Sequence, residues 1–168
     1  MAHMIKHLNY RLESREWVSA SKALTIIHRL FREANERFIK SISRTGVLEM
    51  QFFRDENNAK QTQFVLQYSK YLSEKAKNYR QFEKEYEKSS EKYDSLDNKL
   101  ILEIIPALQL QFDALLEFQE KMELINSRVT LHPFGLILKD SFRLFTSLNR
   151  LFVKIIGKKK NYLFFFTF

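Results

Sequence analysis

Apolar residues recur three or four positions apart along most of this chain, the period of helices that bury one face. Ile5, Leu8 and Leu12 predict a short first helix from about Met4 to Leu12. Ala20, Ala23, Leu24, Ile27, Leu30 and Phe31 predict a second from Trp17 to Ala34, with Ser14 as a candidate cap. Phe38, Ile39 and Ile42 give a third from Asn35 to Ser43, and Gly46 reads as its C-terminal stop. Val47 to Phe53 is apolar but short and reads as a short helix or an irregular packing segment before a polar turn at Asp55–Asn58.

A long helix is expected from Lys60 to Lys88, with Phe64, Tyr68, Tyr71, Leu72, Tyr79, Phe82 and Tyr86 on its buried face. The polar, mixed-charge run Ser89–Asn98 is the best linker in the chain. Another helix is expected from Asp97 to Asn126, with Leu100, Ile104, Leu108, Phe112, Leu115 and Met122 in its stripe. Pro106 lies inside it, and an interior proline costs about 3 kcal/mol, so a bend or break is expected near Ile104. The last helix reads as Phe134 to Ile156, opened by Pro133, with a stripe of Leu138, Phe142, Phe145, Leu148, Phe152 and Ile155. No stretch alternates as a strand does, and the stripes are not strict heptads. The expected fold class is therefore all-α, with antiparallel helices stacked as a superhelical α-solenoid or a bundle.

Composition agrees with long helices. Three Gly and two Pro in 168 residues leave little for the tight turns of a β-sandwich. The absence of Cys removes disulfides, Cys-ligated metals and thiol nucleophiles. No apolar run approaches the roughly 18 residues of a membrane span. The net charge of +8 is unevenly spread: residues 1–44 carry +5, residues 45–138 carry −3 and residues 139–168 carry +6. Basic ends suit an anionic membrane, at about 1 kcal/mol per basic residue near the surface, or a nucleic acid, or are simply solvated helix faces.

A search for catalytic chemistry finds little. His3, His7, His28 and His132 form no His-Glu-x-x-His pair, the three Gly are too scattered to cradle a phosphate, and no Ser lies in a Gly-x-Ser-x-Gly turn. Glu83, Glu85 and Glu87 alternate with Lys on what reads as a solvated face. No enzyme activity, cofactor or metal is expected. Nucleic-acid binding rests on net charge alone and lacks a recognised motif. The end of the chain, Lys158-Lys159-Lys160 followed by a Phe-rich run to Phe168, reads as a foot at a membrane interface, a strand packed on the fold, or an incidental translated end.

Four ordered stretches resemble the ANTH domain of endocytic clathrin adaptors. They are WVSASKALTIIHRLFREANERF (Trp17–Phe38), QYSKYLSEKAKNYR (Gln67–Arg80), LEIIPALQLQFDALLEF (Leu102–Phe118) and LILKDSFRLFTSLNRLF (Leu136–Phe152). The resemblance implies an ENTH/ANTH-like helical superhelix over residues 1–157, with 158–168 as a basic, Phe-rich tail. It implies binding to phosphatidylinositol 4,5-bisphosphate, assembly with clathrin and endocytic coat proteins, and in related adaptors a vesicle SNARE as cargo. The location implied is cytoplasmic, peripheral at the plasma membrane and in clathrin-coated pits and vesicles. An alternative is a helical interaction module that grips a partner helix between its later helices without lipid.

The family's lipid motif is a Lys, nine residues, then Lys-x-(Lys or Arg)-(His or Tyr). Lys6-His7 matches only its final pair, Met4 stands where the middle Lys belongs, and only nine residues separate His7 from Trp17. That spacing is shorter than the family's, so residues 1–12 correspond to the helix just before the Trp, and the domain is expected to lack its first helices. Lipid contact would then rest on Lys6, His7 and Arg11, with diffuse attraction from Arg15, Lys158, Lys159 and Lys160.

Overall fold

In a computed structural model, residues 2–86, 93–118 and 126–163 are described, and among them the side chains of 2, 47, 94 and 158–163 are not. The described chain forms six helices and no strand: α1 (Ala2–Leu12), α2 (Trp17–Glu33), α3 (Glu36–Arg44), α4 (Ala59–Phe82), α5 (Asn98–Leu116) and α6 (Arg128–Leu163). Short 3-10 turns occupy Gly46–Leu48 and Tyr93–Ser95. Helices pack on their chain neighbours, and α6 also returns to lie against α2.

Local chemistry explains most helix ends. Asn35 caps α3, its side-chain oxygen accepting from the Phe38 N–H at 3.0 Å. Ser14 does not cap α2; its hydroxyl donates back to the Arg11 carbonyl at 2.7 Å and closes α1. The first N–H of α2, on Trp17, instead donates to Asp55 Oδ2 at 3.0 Å, from 38 residues away. Gly46 is not the left-handed stop of α3, because Thr45 occupies the cap in extended conformation and no glycine has positive φ. Helix α4 stops at Phe82, six residues earlier than expected, with Glu83 in the left-handed region at φ 50°.

The two prolines sit inside helices without breaking them. Helix α5 runs through Pro106 as one helix; Pro106 and Leu102 are exposed, so water can take the carbonyl bond the proline forfeits. Pro133 does not open α6. Ser127 does, bonding through its N–H and hydroxyl to Thr130 Oγ1, so that the helix begins at Arg128, six residues ahead of the expected start at Phe134. The carbonyl that Pro133 leaves free, on Val129, accepts from Ser21 of α2 at 3.3 Å.

The core is aromatic and aliphatic, with Phe31, Phe64, Tyr68, Tyr71, Leu24, Ile27, Ile104 and Leu108 fully buried. The stripes predicted for α1 to α4 face it, apart from half-buried Leu30 and Phe82. The stripe predicted for α6 does so only at buried Leu148 and half-buried Ile155. Leu138, Phe142 and Phe145 are 45%, 67% and 54% exposed, and the buried line is Ile137, Asp140, Leu144, Ser147 and Leu151. In the expected linker, Ser89–Lys92 lies outside the described residues, whereas Tyr93 is buried and its hydroxyl donates to Ser147 of α6 at 2.8 Å.

Candidate functional site

Burial of Ile5, Leu8 and Leu12 against the core leaves His3, Lys6, His7, Tyr10 and Arg11 exposed on α1. His3, His7 and Arg11 follow at intervals of four and share one ridge. The two imidazole rings meet edge-on with centroids 4.6 Å apart, a histidine pair that the sequence search passed over. Lys6 lies about 100° round the helix from His7, on the same open side. The structure therefore leaves Lys6, His7 and Arg11 exposed on the open side of α1, where ammonium, imidazole and guanidinium donors can meet phosphate without a pocket.

Lys158, Lys159 and Lys160 do not join them. They fall on the last turns of α6, where side chains are not described, and roughly 27 Å of helix separates them from Asp140, the level at which α6 packs on α2. The Phe-rich end from residue 164 lies outside the described residues. Among the described residues no group of three His, Cys, Asp or Glu is arranged to hold a metal.

A second cluster went unnoticed in the sequence. Asp140, fully buried on α6, accepts from His28 Nε2 at 2.8 Å, the Tyr71 hydroxyl at 2.7 Å and Lys75 Nζ at 3.0 Å, and it pairs with Arg32. Burial alone would raise its pKa. The Lys75 charge, then the His28 and Tyr71 hydrogen bonds, overcome that and hold the carboxyl well below its usual range. Burial lowers the pKa of His28 despite the neighbouring carboxylate, so its imidazole is neutral. Donation through Nε2–H leaves Nδ1 to accept from the Tyr68 hydroxyl at 2.9 Å, and burial keeps that phenol protonated. This cluster is closed to solvent and joins α2, α4 and α6. One signal was available: Asp140 is the lone acid after residue 138 and sits inside an apolar pattern.

Along the other flank of α6 runs an apolar groove shared with α5, lined by Phe112, Leu116, Phe134, Leu138, Phe142 and Phe145. Leu110, at 60% exposure, extends it toward Pro106. On the outer face of α4, Lys77 and Glu74 form an ordinary surface pair at 2.7 Å.

Comparison with known proteins places this arrangement. The family model for the ANTH domain matches residues 1–161. The human phosphatidylinositol-binding clathrin assembly protein is 31% identical over 163 residues, covering 90% of this chain and 25% of that protein. The mouse clathrin coat assembly protein AP180 is 31% identical over 156 residues, covering 88% of this chain and 17% of that protein. The Drosophila melanogaster phosphatidylinositol-binding clathrin assembly protein LAP is 27% identical over 176 residues, 93% of this chain and 38% of that protein. The chain thus spans well under half the length of these relatives.

Proposed function

This chain belongs to the ANTH domain family, and from that premise we propose that it is a phosphoinositide-binding membrane adaptor in clathrin-coated vesicle assembly and endocytosis. The observation that carries the reading is the family match over residues 1–161 together with relatives named for phosphatidylinositol binding and clathrin assembly. Its role is to dock on a surface and to transform nothing. Lys6, His7 and Arg11 supply the headgroup contacts, and Lys158, Lys159 and Lys160 add attraction further along the same membrane. No described helix is long and apolar enough to cross a bilayer, so attachment is peripheral in this reading.

Co-sedimentation with phosphatidylcholine vesicles, with and without phosphatidylinositol 4,5-bisphosphate, tests it. Preferential pelleting with the phosphoinositide is expected, and equal recovery with both vesicles would remove the lipid function. Location at the plasma membrane and in coated pits is tested by imaging the tagged chain beside clathrin.

A second reading follows from the exposed groove between α5 and α6. A partner helix, such as that of a vesicle SNARE, would cover Leu138, Phe142 and Phe145, which water otherwise meets. Capture of a SNARE helix by wild type and loss of capture in F142S/F145S are the expected results.

A further inference from the structure

We infer that the seam between α2 and α6 is a second, extended contact surface for an anionic membrane, distinct from the face of α1. This deepens the membrane reading above and rests on it. Three contacts set the seam: Ser21 to the Val129 carbonyl at 3.3 Å, His28 to Asp140 at 2.8 Å, and Arg32 to Asp140. Residue numbers rise in the same direction along both helices through these contacts, so α2 and α6 run parallel. Helix α5 holds the opposite flank of α6, at Ile137, Leu138 and Phe142.

On the α2 side of α6 lie His132, Lys139, Arg143 and Arg150, all exposed. At 100° per residue they fall within about 40° of one another, in a row roughly 27 Å long. On α2, one position out from Ser21 and His28, stand Lys22 and Arg29, also exposed. Ile26, at 48% exposure, lies between them at the i, i+4, i+7 spacing of one stripe. The seam is thus bordered by Lys139, Arg143 and Arg150 on α6 and by Lys22 and Arg29 on α2, with an apolar side chain among them.

Apart from Glu33, one turn beyond Arg29 on α2, no exposed acid stands beside these cations on their own helices, unlike lysines elsewhere on the surface. Lys40, Lys70 and Lys77 each reach a glutamate. Among the described residues, Lys22, Arg29, Lys139, Arg143 and Arg150 enter no ion pair. Asp140 is the one acid in α6, and it is buried in the cluster below the seam. On the outer side of α2 the exposed acid is Glu33, at the helix end. Rows of unpaired like charge repel one another, and a polyanionic surface relieves that repulsion. The row is longer than one headgroup, so it fits a sheet of anionic lipid, with Ile26 entering the interface.

Vesicles of phosphatidylcholine and phosphatidylserine, with and without phosphatidylinositol 4,5-bisphosphate, serve as probes. The variants are K139E/R143E, K22E/R29E and, on α1, K6E/R11E, each checked for native helicity by circular dichroism. Either seam variant is expected to raise the lipid concentration for half-binding on the order of tenfold, on phosphatidylserine alone as well. Ile26→Ser is expected to weaken binding at high salt, where charge is screened. Loss of vesicle binding in K6E/R11E with unchanged binding in both seam variants would overturn this inference and leave the proposed function standing. Absence of wild-type binding to every anionic vesicle would overturn both. If the seam variants lose an oligonucleotide but keep vesicles, the surface belongs to nucleic acid and the inference fails.

Discussion

Helix α6 carries charge on two sides, and the two sides do opposite work. Asp140 faces inward, with no solvent exposure, and every partner it needs is supplied by α2 and α4. Lys139 and Arg143, one and three positions away, face outward and meet no acid among the described residues. A buried charge must be paired because desolvation costs several kcal/mol, so it fixes how helices meet. An exposed charge is solvated at almost no cost, so it is free to recognise something else.

The sharpest way to break this contrast is Asp140→Ala. It strips the counter-charge from Lys75 and Arg32 in a dry environment, and a loss of about 3–5 kcal/mol is expected in urea unfolding. Lys139→Ala next to it should leave the urea midpoint unchanged. Equal effects from the two would mean that burial is not the deciding variable.

Acid should unlock the same cluster in two stages. His28 has a lowered folded pKa, so the unfolded chain binds the extra proton first; stability is full above about pH 6.5 and falls as pH drops below it. Asp140 is also depressed when folded, so its contribution is present above about pH 4 and is lost as pH falls further. Melting curves from pH 8 to pH 3 should show both declines, and His28→Gln should flatten the first.

A smaller loss is expected at the remote cap of α2. Asp55→Ala removes the acceptor for the Trp17 N–H and should lower the melting temperature less than Asp140→Ala does. The smallest effect is expected at Lys40→Ala, whose exposed pairing with Glu83 should be silent in unfolding.

Much of the fold was legible in the residue pattern. The stripes of α2 and α3 named their buried faces. Proline was overread at both positions. Pro106 is tolerated on an exposed face, and the bond lost at Pro133 is made good by Ser21, more than a hundred residues earlier. Of the candidate site, the exposure of Lys6, His7 and Arg11 follows from the burial of Ile5, Leu8 and Leu12 on the other side of α1.

The sequence by itself determined six helices and the basic character of α6, because period and charge are properties of residues close in the chain. It could not determine which side of α6 goes inside. The Leu138, Phe142 and Phe145 line is the more apolar, yet the line holding Asp140 and Ser147 is buried. Only the tertiary structure decided that. The hydrogen-bond partners that make a buried aspartate affordable lie on α2 and α4, more than 60 residues away, and appear only once the helices meet.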